Sequence, residues 1–422
     1  MNVSGLKKIH LFLLTVAVVV LLFLIRYSIM MNRVNIGEVP VLFHIENVAE
    51  TTFFGEMGKP VILRNNMSKI ITKMVENGWR HYGFNQFVSD CINVHRSLPD
   101  PRDEWCKAPR RFMAELPSTS VIICFHNEAW SVILRSIHSI LDRSPDYLLK
   151  EIILIDDFSD TEHLKQNLVE YWENNPKLRI FRTSERLGLM KARLLGTFHA
   201  RGEVLTFLNS RVECAPGWLV PLLDRIARNP KTVVSPKIDV IDPDTLEFSY
   251  GSDVYICGFN WNLMAIQHSI SENEQRKSNH SAEPVKTPII PHGLFSINKA
   301  FFLLLGTYDE SFELSGAENL ELSLKTWMCG GSIEIIPCSH VGYIFRETLH
   351  YTSKFLTEVR HQDLTRVAEV WLDDYSDYYY KNHRKKYIDH EYVRRKKLQR
   401  KTLGCKSFKW YIDNVYPELL HT

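Results

Sequence analysis

The sequence lacks the spacings that announce a metal cluster. None of its eight cysteines falls in a C-x-x-C pair or another zinc spacing, and such pairs are how small structural zinc sites are built. It has little excess of either charge: the net value is +2, so neither nucleic acid nor a strongly acidic partner is expected. Internal repeats and low-complexity tracts are also missing, which leaves no sign of a solenoid or a disordered array. What is present is ordinary for globular protein: 45% hydrophobic and 24% charged residues over 422 positions, enough for one large or two ordinary domains.

One long apolar run is present, near the N-terminus. Leu11 to Ile25 is interrupted only by Thr15, with Lys7 and Lys8 before it and Arg26 after it. The run is slightly short of the ~20 residues that span a bilayer, and flanking lysines can snorkel to make up the difference. No small-x-small cleavage site follows. The sequence therefore predicts a cytosolic tail over 1–8, a signal anchor over 9–25 and a lumenal remainder, oriented by the two lysines. A lumenal chain can form disulfides and can be glycosylated at the sequons of Asn66 and Asn279.

Residues 27–117 show no sustained period and read as a stem followed by a wrapping segment, with 26–90 assigned to the stem and the start of the wrapping segment. After Pro117 strand and helix alternate. Strands are expected at Ser120–Phe125, Glu151–Asp156, Leu178–Arg182, Glu203–Leu208 and Thr232–Val240, with helices at Ala129–Ser144, Thr161–Asn174, Leu189–Arg201 and Trp218–Arg228. That alternation predicts an α/β, Rossmann-like, mostly parallel sheet flanked by helices, which binds ligands at the carboxyl ends of its strands. Further on, a helix rich in Trp and Tyr is expected over Val367–Tyr380, and the basic stretch Lys381–Lys401 reads as a solvated helix face.

At the end of the fourth strand stands Asn209-Ser210-Arg211. A metal-assisted transferase wants carboxylates or histidines there, to hold a hard cation against a diphosphate. Here are an amide and a cation instead.

Several segments together resemble one family, the polypeptide N-acetylgalactosaminyltransferases. They are Ser120–Ala129 (SVIICFHNEA), Glu151–Ser159 (EIILIDDFS), Arg186–Arg193 (RLGLMKAR), Cys257–Leu263 (CGFNWNL), Glu318–Ser323 (ENLELS), Cys329–Val341 (CGGSIEIIPCSHV) and Cys405–Leu419 (CKSFKWYIDNVYPEL). The resemblance implies a GT-A glycosyltransferase domain over 91–419 in a type II membrane protein of the Golgi or another secretory-pathway compartment. It implies UDP-GalNAc as donor, Mn2+ as the family's metal and Ser/Thr acceptors in proteins. Members commonly add a C-terminal ricin-type lectin domain; this chain stops three residues after Leu419, so none is expected. Disulfides Cys106–Cys338 and Cys329–Cys405 are implied by the same resemblance, each contributing roughly 2–4 kcal/mol.

Carried over residue by residue, the resemblance gives Cys124, His126, Asp157, Arg186, Ser210, Arg346 and Tyr351 to the donor. Glu318 and Asn319 would hydrogen-bond the sugar and position the reacting centre. The departures are as specific. The family's Asp-x-His ligands stand here as Asn209 and Arg211, and the histidine of its Val-Gly-His as Tyr343. An arginine offers a metal no lone pair, and a neutral phenol is a poor ligand. His340, three residues earlier, would point to the opposite strand face. On the sugar side Ser315, Ala317, His292 and Leu349 replace the family's Trp, Gly, Gly and His, and the lid stretch Ser353–Thr357 contains no glycine.

The leading expectation is a catalytically inactive, membrane-anchored relative that takes no metal cofactor. It would act by binding, whether to UDP or UDP-GalNAc, a Ser/Thr-rich peptide or an active transferase. The alternative is metal-independent transfer of GalNAc to Ser/Thr, with Arg211 standing where the cation would be. A third reading is a structural module without a nucleotide site.

Overall fold

Strands β1 (Thr119–Phe125), β2 (Leu149–Asp156), β3 (Leu178–Arg182) and β4 (Val204–Leu208) form the parallel half of the sheet in the computed structural model. The structure describes residues 54–251, 253–270, 279–312, 316–345, 354–384 and 389–421. The expected anchor over 9–25, the stem as far as residue 53, Ser315, Arg346, Leu349, Tyr351 and Ser353 lie outside them. Among the described residues no helix is long and apolar enough to cross a membrane. The chain divides into two units, Met1–Thr52 with Ile62–Lys69, and Phe53–Val61 with Ile70–Thr422. Only 62–69 of the first is described, as a lone bridge, a turn and the first residue of a helix; apart from that residue, everything below concerns the second.

The side chains of β1 show why the parallel half reads as an unbroken apolar run. Val121, Ile123 and Phe125 enter one core with Ile133, Ile137 and Ile140 of the Trp130–Arg143 helix. Ile122 enters the other, with Met190 and Ala192 of the Leu189–His199 helix. A strand covered on both faces needs no polar alternation. The Leu189–His199 helix lies so close that a Cβ on Gly196 would fall 2.5 Å from Ile122 Cγ2, which excludes any larger residue there.

The second half of the sheet adds β5 (Val212–Cys214), β6 (Thr232–Ile241), β7 (Phe248–Ser249), β10 (Val285–Lys286), β11 (Phe295–Asn298) and β12 (Ser332–Ile344), while β8 (Tyr255–Phe259) and β9 (Ala265–Ser269) make a separate hairpin. The main order is β10-β12-β6-β11-β4-β1-β2-β3. β12 and β6 run parallel, but β11 lies antiparallel between β4 and β6. The α/β, mostly parallel expectation therefore holds, with a mixed second half. β11 is four residues long, too short for its alternation to stand out in the sequence.

The five expected strands are present with ends shifted by a few residues. Thr161–Asn174 is broken into a 3-10 turn, Glu162–Leu164, and a helix, Gln166–Trp172. Val367–Tyr380 is likewise split, between Lys354–Trp371 and Ser376–Asn382, with Asp373 at φ 50° in the break. The stem-and-wrap segment contains a 14-residue helix, Lys69–Tyr82. The expected lid begins that same long helix at Lys354. Both implied disulfides, Cys106–Cys338 and Cys329–Cys405, are formed.

Candidate functional site

The carboxyl ends of β1, β2 and β4 lie side by side, because these strands are parallel neighbours in the register Phe125–Asp156 and Ile123–Leu208. Each end delivers polar residues to one place. From β1, His126 Nδ1 lies 2.9 Å from the Asp157 carbonyl oxygen. Asn127 adopts φ 49° and accepts the Asp160 backbone N–H on Oδ1 at 2.9 Å. Cys124, also on β1, is partly buried; desolvation pushes its thiol up to about 12, so it is a neutral side chain rather than a nucleophile.

From β2, buried Asp157 organises the loop ahead of the Leu189–His199 helix. Its Oδ1 accepts the Leu187 N–H at 2.7 Å, its Oδ2 accepts the Gly188 N–H at 3.0 Å, and Arg186 Nη1 pairs with the same carboxylate. The Arg186 side chain stays 52% exposed, so its outer face is open to a ligand while its root is fixed. Asp157 and Arg186, read separately from the sequence, are thus one unit.

The end of β4 is different. Arg211 is buried, and its Nε donates to Glu128 Oε2 at 2.9 Å; Ser210 Oγ donates to the same oxygen at 2.7 Å. Arg211 Nη1 donates to the Tyr82 carbonyl at 2.6 Å and the guanidinium sits 5.0 Å from the Phe84 ring centre. Its Nη2 is buried and finds no hydrogen-bond partner among the described residues. Arg211 therefore ties the wrapping segment and the end of β1 to the end of β4. The sequence places Glu128 at the close of the first strand, on the donor side, but does not show its pairing with Arg211. The signal available was an acid closing one strand beside a cation closing its parallel neighbour. Asn209, just before, is half-buried.

Tyr343 is brought to the same neighbourhood. It pairs in register with Val212, and the Ile344 N–H donates to the Arg211 carbonyl at 3.1 Å. Its ring meets Phe345, which in turn meets His292. His340 turns away as expected and binds Asp239, Nδ1 to Oδ2, at 2.8 Å.

A second polar group forms at the start of the Ala317–Met328 helix. Glu318 is fully buried and accepts the Gly316 N–H on one oxygen and Asn319 Nδ2, at 2.9 Å, on the other. A carboxylate in the first turn also suits the helix dipole. Ala317 is the first residue of this helix and is buried. Asn319 Oδ1 is buried without a partner among the described residues. The amide packs on Gly293, whose carbonyl takes a hydrogen bond from buried Arg193 at 2.9 Å. His292, before it, is exposed at φ 48°.

One further group of metal-capable side chains stands apart: His95, His138 and Asp142 place ligand atoms within 4.8 Å of one another.

Residues 120–302 match the family model for glycosyl transferase family 2. The chain is 53% identical over 367 residues to the putative polypeptide N-acetylgalactosaminyltransferase 9 of Drosophila melanogaster, covering 86% of this chain and 56% of the relative. It is 44% identical over 368 residues to human polypeptide N-acetylgalactosaminyltransferase 13, covering 86% of this chain and 65% of that one. The chain thus spans a little over half the length of the first of these relatives. Among solved structures, the crystal structure of GalNAc-T7 with UDP, GalNAc and Mn2+ is similar at TM-score 0.79 and 33% identity, over 90% of this chain and 71% of that one.

These findings correct one expectation. The sequence reading took no metal as cofactor, yet the similar GalNAc-T7 structure carries Mn2+ beside UDP and GalNAc, and the described residues include a metal-capable set at His95, His138 and Asp142. That expectation rested on the altered positions Asn209, Arg211 and Tyr343 alone, and a set assembled from residues elsewhere in the chain leaves no local motif to weigh against them. At the end of β4 itself the fit is poor: Arg211 offers no lone pair and Glu128 is already engaged by Arg211 and Ser210.

Proposed function

The chain belongs to the polypeptide N-acetylgalactosaminyltransferase family, and from that premise we propose that it binds a UDP-sugar donor and modulates O-glycosylation without turning the donor over efficiently. The observation that carries this reading is the buried Arg211–Glu128 pair, with Ser210 on the same oxygen. It fills the end of β4, where a transferase would keep polar groups available to the diphosphate, with groups committed to one another. Eroded sugar-side positions support the same reading: His292 brings an exposed imidazole beside Gly293, and Ser315 and Leu349 replace larger or ligating residues.

Donor binding is supported by the fixed Arg186–Gly188 loop, whose exposed guanidinium can pair bidentately with a phosphate. A place in the secretory pathway, membrane-anchored through 9–25, is supported by the apolar N-terminal run and by two formed disulfides, which suit an oxidising compartment. A peptide or an active transferase would be the partner.

The competing reading, an active transferase, has one observation in its favour. Glu318 is buried and Asn319 half-buried, and Asn319 Oδ1 is left without a partner among the described residues, as an acceptor awaiting a substrate hydroxyl would be. Thermal unfolding of the full chain with UDP and UDP-GalNAc, each with Mn2+ and with EDTA, separates the readings when joined to a peptide transfer assay. Binding to the native state raises the midpoint by mass action. A raised midpoint without transfer is the expected result; GalNAc transfer to peptide rejects the proposal, and no shift with either ligand removes donor binding from it.

A further inference from the structure

We propose that His95, His138 and Asp142 form a site for a late first-row divalent cation such as Zn2+, remote from the donor side, that clips the 92–100 loop to the Trp130–Arg143 helix. The argument is independent of the donor-site reading.

The helix supplies two of the three side chains. His138 and Asp142 are four residues apart, so they stand one above the other on a single face. His95 reaches that face from the loop, its Nδ1 2.8 Å from Asp142 Oδ2 and its ring centre 3.9 Å from that of His138. All three offer a ligand atom within 4.8 Å of the others. Tetrahedral zinc needs ligand atoms about 3.4 Å apart at ordinary Zn–N lengths. One pair must therefore open slightly and another close, and the His95 and Asp142 side chains, 53% and 39% exposed, are free to do so.

The backbones beneath are fixed. Arg96, next to His95, is buried and donates to Glu213 on both oxygens, at 2.8 and 2.9 Å, and to the Leu246 carbonyl. Arg143, next to Asp142, donates to the Arg96 carbonyl and, at 2.7 Å, to that of Cys214. Loop and helix are thereby held facing each other before any ion arrives, and neither arginine turns its charge to the site. Tyr171 completes the surroundings: its hydroxyl lies 2.9 Å from His138 Nε2. A ligating imidazole ordinarily has such a partner on its second nitrogen, which fixes the ring.

Two imidazoles and one carboxylate select borderline ions over hard ones such as Mg2+ and Ca2+. Three protein ligands leave room for a water. His138 lies eight residues into its helix and Asp142 twelve, roughly 12 and 18 Å from the end that faces Glu128. The ion would thus act on the fold, not on the donor.

The test is calorimetric titration of the full, EDTA-treated chain with ZnCl2, together with its thermal midpoint. One saturable Zn2+ per chain and a raised midpoint are expected. His95→Ala and Asp142→Asn, both at exposed side chains, should each weaken binding at least tenfold and abolish the zinc-dependent rise, while the midpoint in EDTA and the response to UDP stay as in the parent. No saturable binding would overturn the proposal. So would parental affinity in both variants, which would assign the ion to other groups such as the four free thiols.

Discussion

Arg211 and Glu128 form a buried ion pair across the ends of two parallel strands, Nε to Oε2 at 2.9 Å, with side chains only 3% and 2% exposed. Strand β1 supplies the acid and β4 the cation. Each charge is tolerable there only because the other is present.

Removing one partner should therefore cost more than removing both. Arg211→Met leaves Glu128 with Ser210 and the Ala129 N–H but without its counter-charge, and is expected to destabilise the chain by about 3–5 kcal/mol. Combining it with Glu128→Leu should recover much of the loss, since no buried charge is then left over. A double-mutant cycle by urea unfolding measures the coupling; simple additivity would mean that the pair is not the unit described.

Glu213 makes a sharper case with an acid dependence. Burial would raise its carboxyl, but Arg96 and Arg135 outweigh that and hold it below the ordinary 4.5. A carboxylate depressed in the folded state contributes stability that is complete above its unfolded value and is lost as pH falls through the lower folded value. Glu213→Gln should thus cost several kcal/mol at pH 7 and flatten the acid limb of the stability curve below about pH 4.5. Unfolding midpoints measured from pH 3 to 7 decide it, and an unchanged acid limb would count against the assignment.

The Cys329–Cys405 bridge closes a separation of 76 residues, for which loop entropy predicts about 4.5 kcal/mol. Cys405→Ser should lower the thermal midpoint under oxidising conditions, and a reductant should then have less effect on the variant than on the parent. A variant as sensitive to reductant as the parent would place the contribution in the Cys106–Cys338 bridge.

Much of this arrangement could be read from the sequence, and the boundary of what could is physical. Strands β1, β2 and β4 were legible because both faces are buried, so each shows as an apolar run ended by polar residues, while β3 is a half-buried edge strand. Asp157 and Arg186 were legible as candidate site residues because Asp157 follows the end of β2 and Arg186 stands just before the Leu189–His199 helix. The bonds from Asp157 to the Leu187 and Gly188 N–H groups were not, since they depend on a loop closing across 30 residues. Short strands such as β11 have too few residues for a period. The His95–His138–Asp142 group was hidden for a related reason: two of its members come from one helix and the third from a loop 43 residues before His138, so no local motif exists.

Arg186 and Asp157 should separate binding from folding. Arg186→Ala removes a half-exposed guanidinium and is expected to weaken UDP binding about tenfold, one charge-assisted contact, with little change in stability. Asp157→Asn weakens the anchor of the Arg186–Gly188 loop and should lower stability as well. UDP titration and thermal melts of both variants test the division; equal stability losses would make Arg186 structural.

Gly293 offers the most local test of the sugar side. Its φ is 70°, where an L side chain is strained, and a Cβ would lie 3.0 Å from Asn319 Nδ2. Gly293→Ala therefore adds about 1–2 kcal/mol of backbone cost and pushes on an amide that is already bonded to Glu318. The Asn319 side chain can give way only by weakening that bond, because Arg193 holds the Gly293 carbonyl from the other side. UDP, which needs neither residue under the proposed division of the site, should bind the variant as it binds the parent. UDP-GalNAc should lose whatever additional affinity its sugar contributes. Equal titrations of the two ligands in parent and variant would mean that Glu318 and Asn319 hold the helix start and take no part in recognising the sugar.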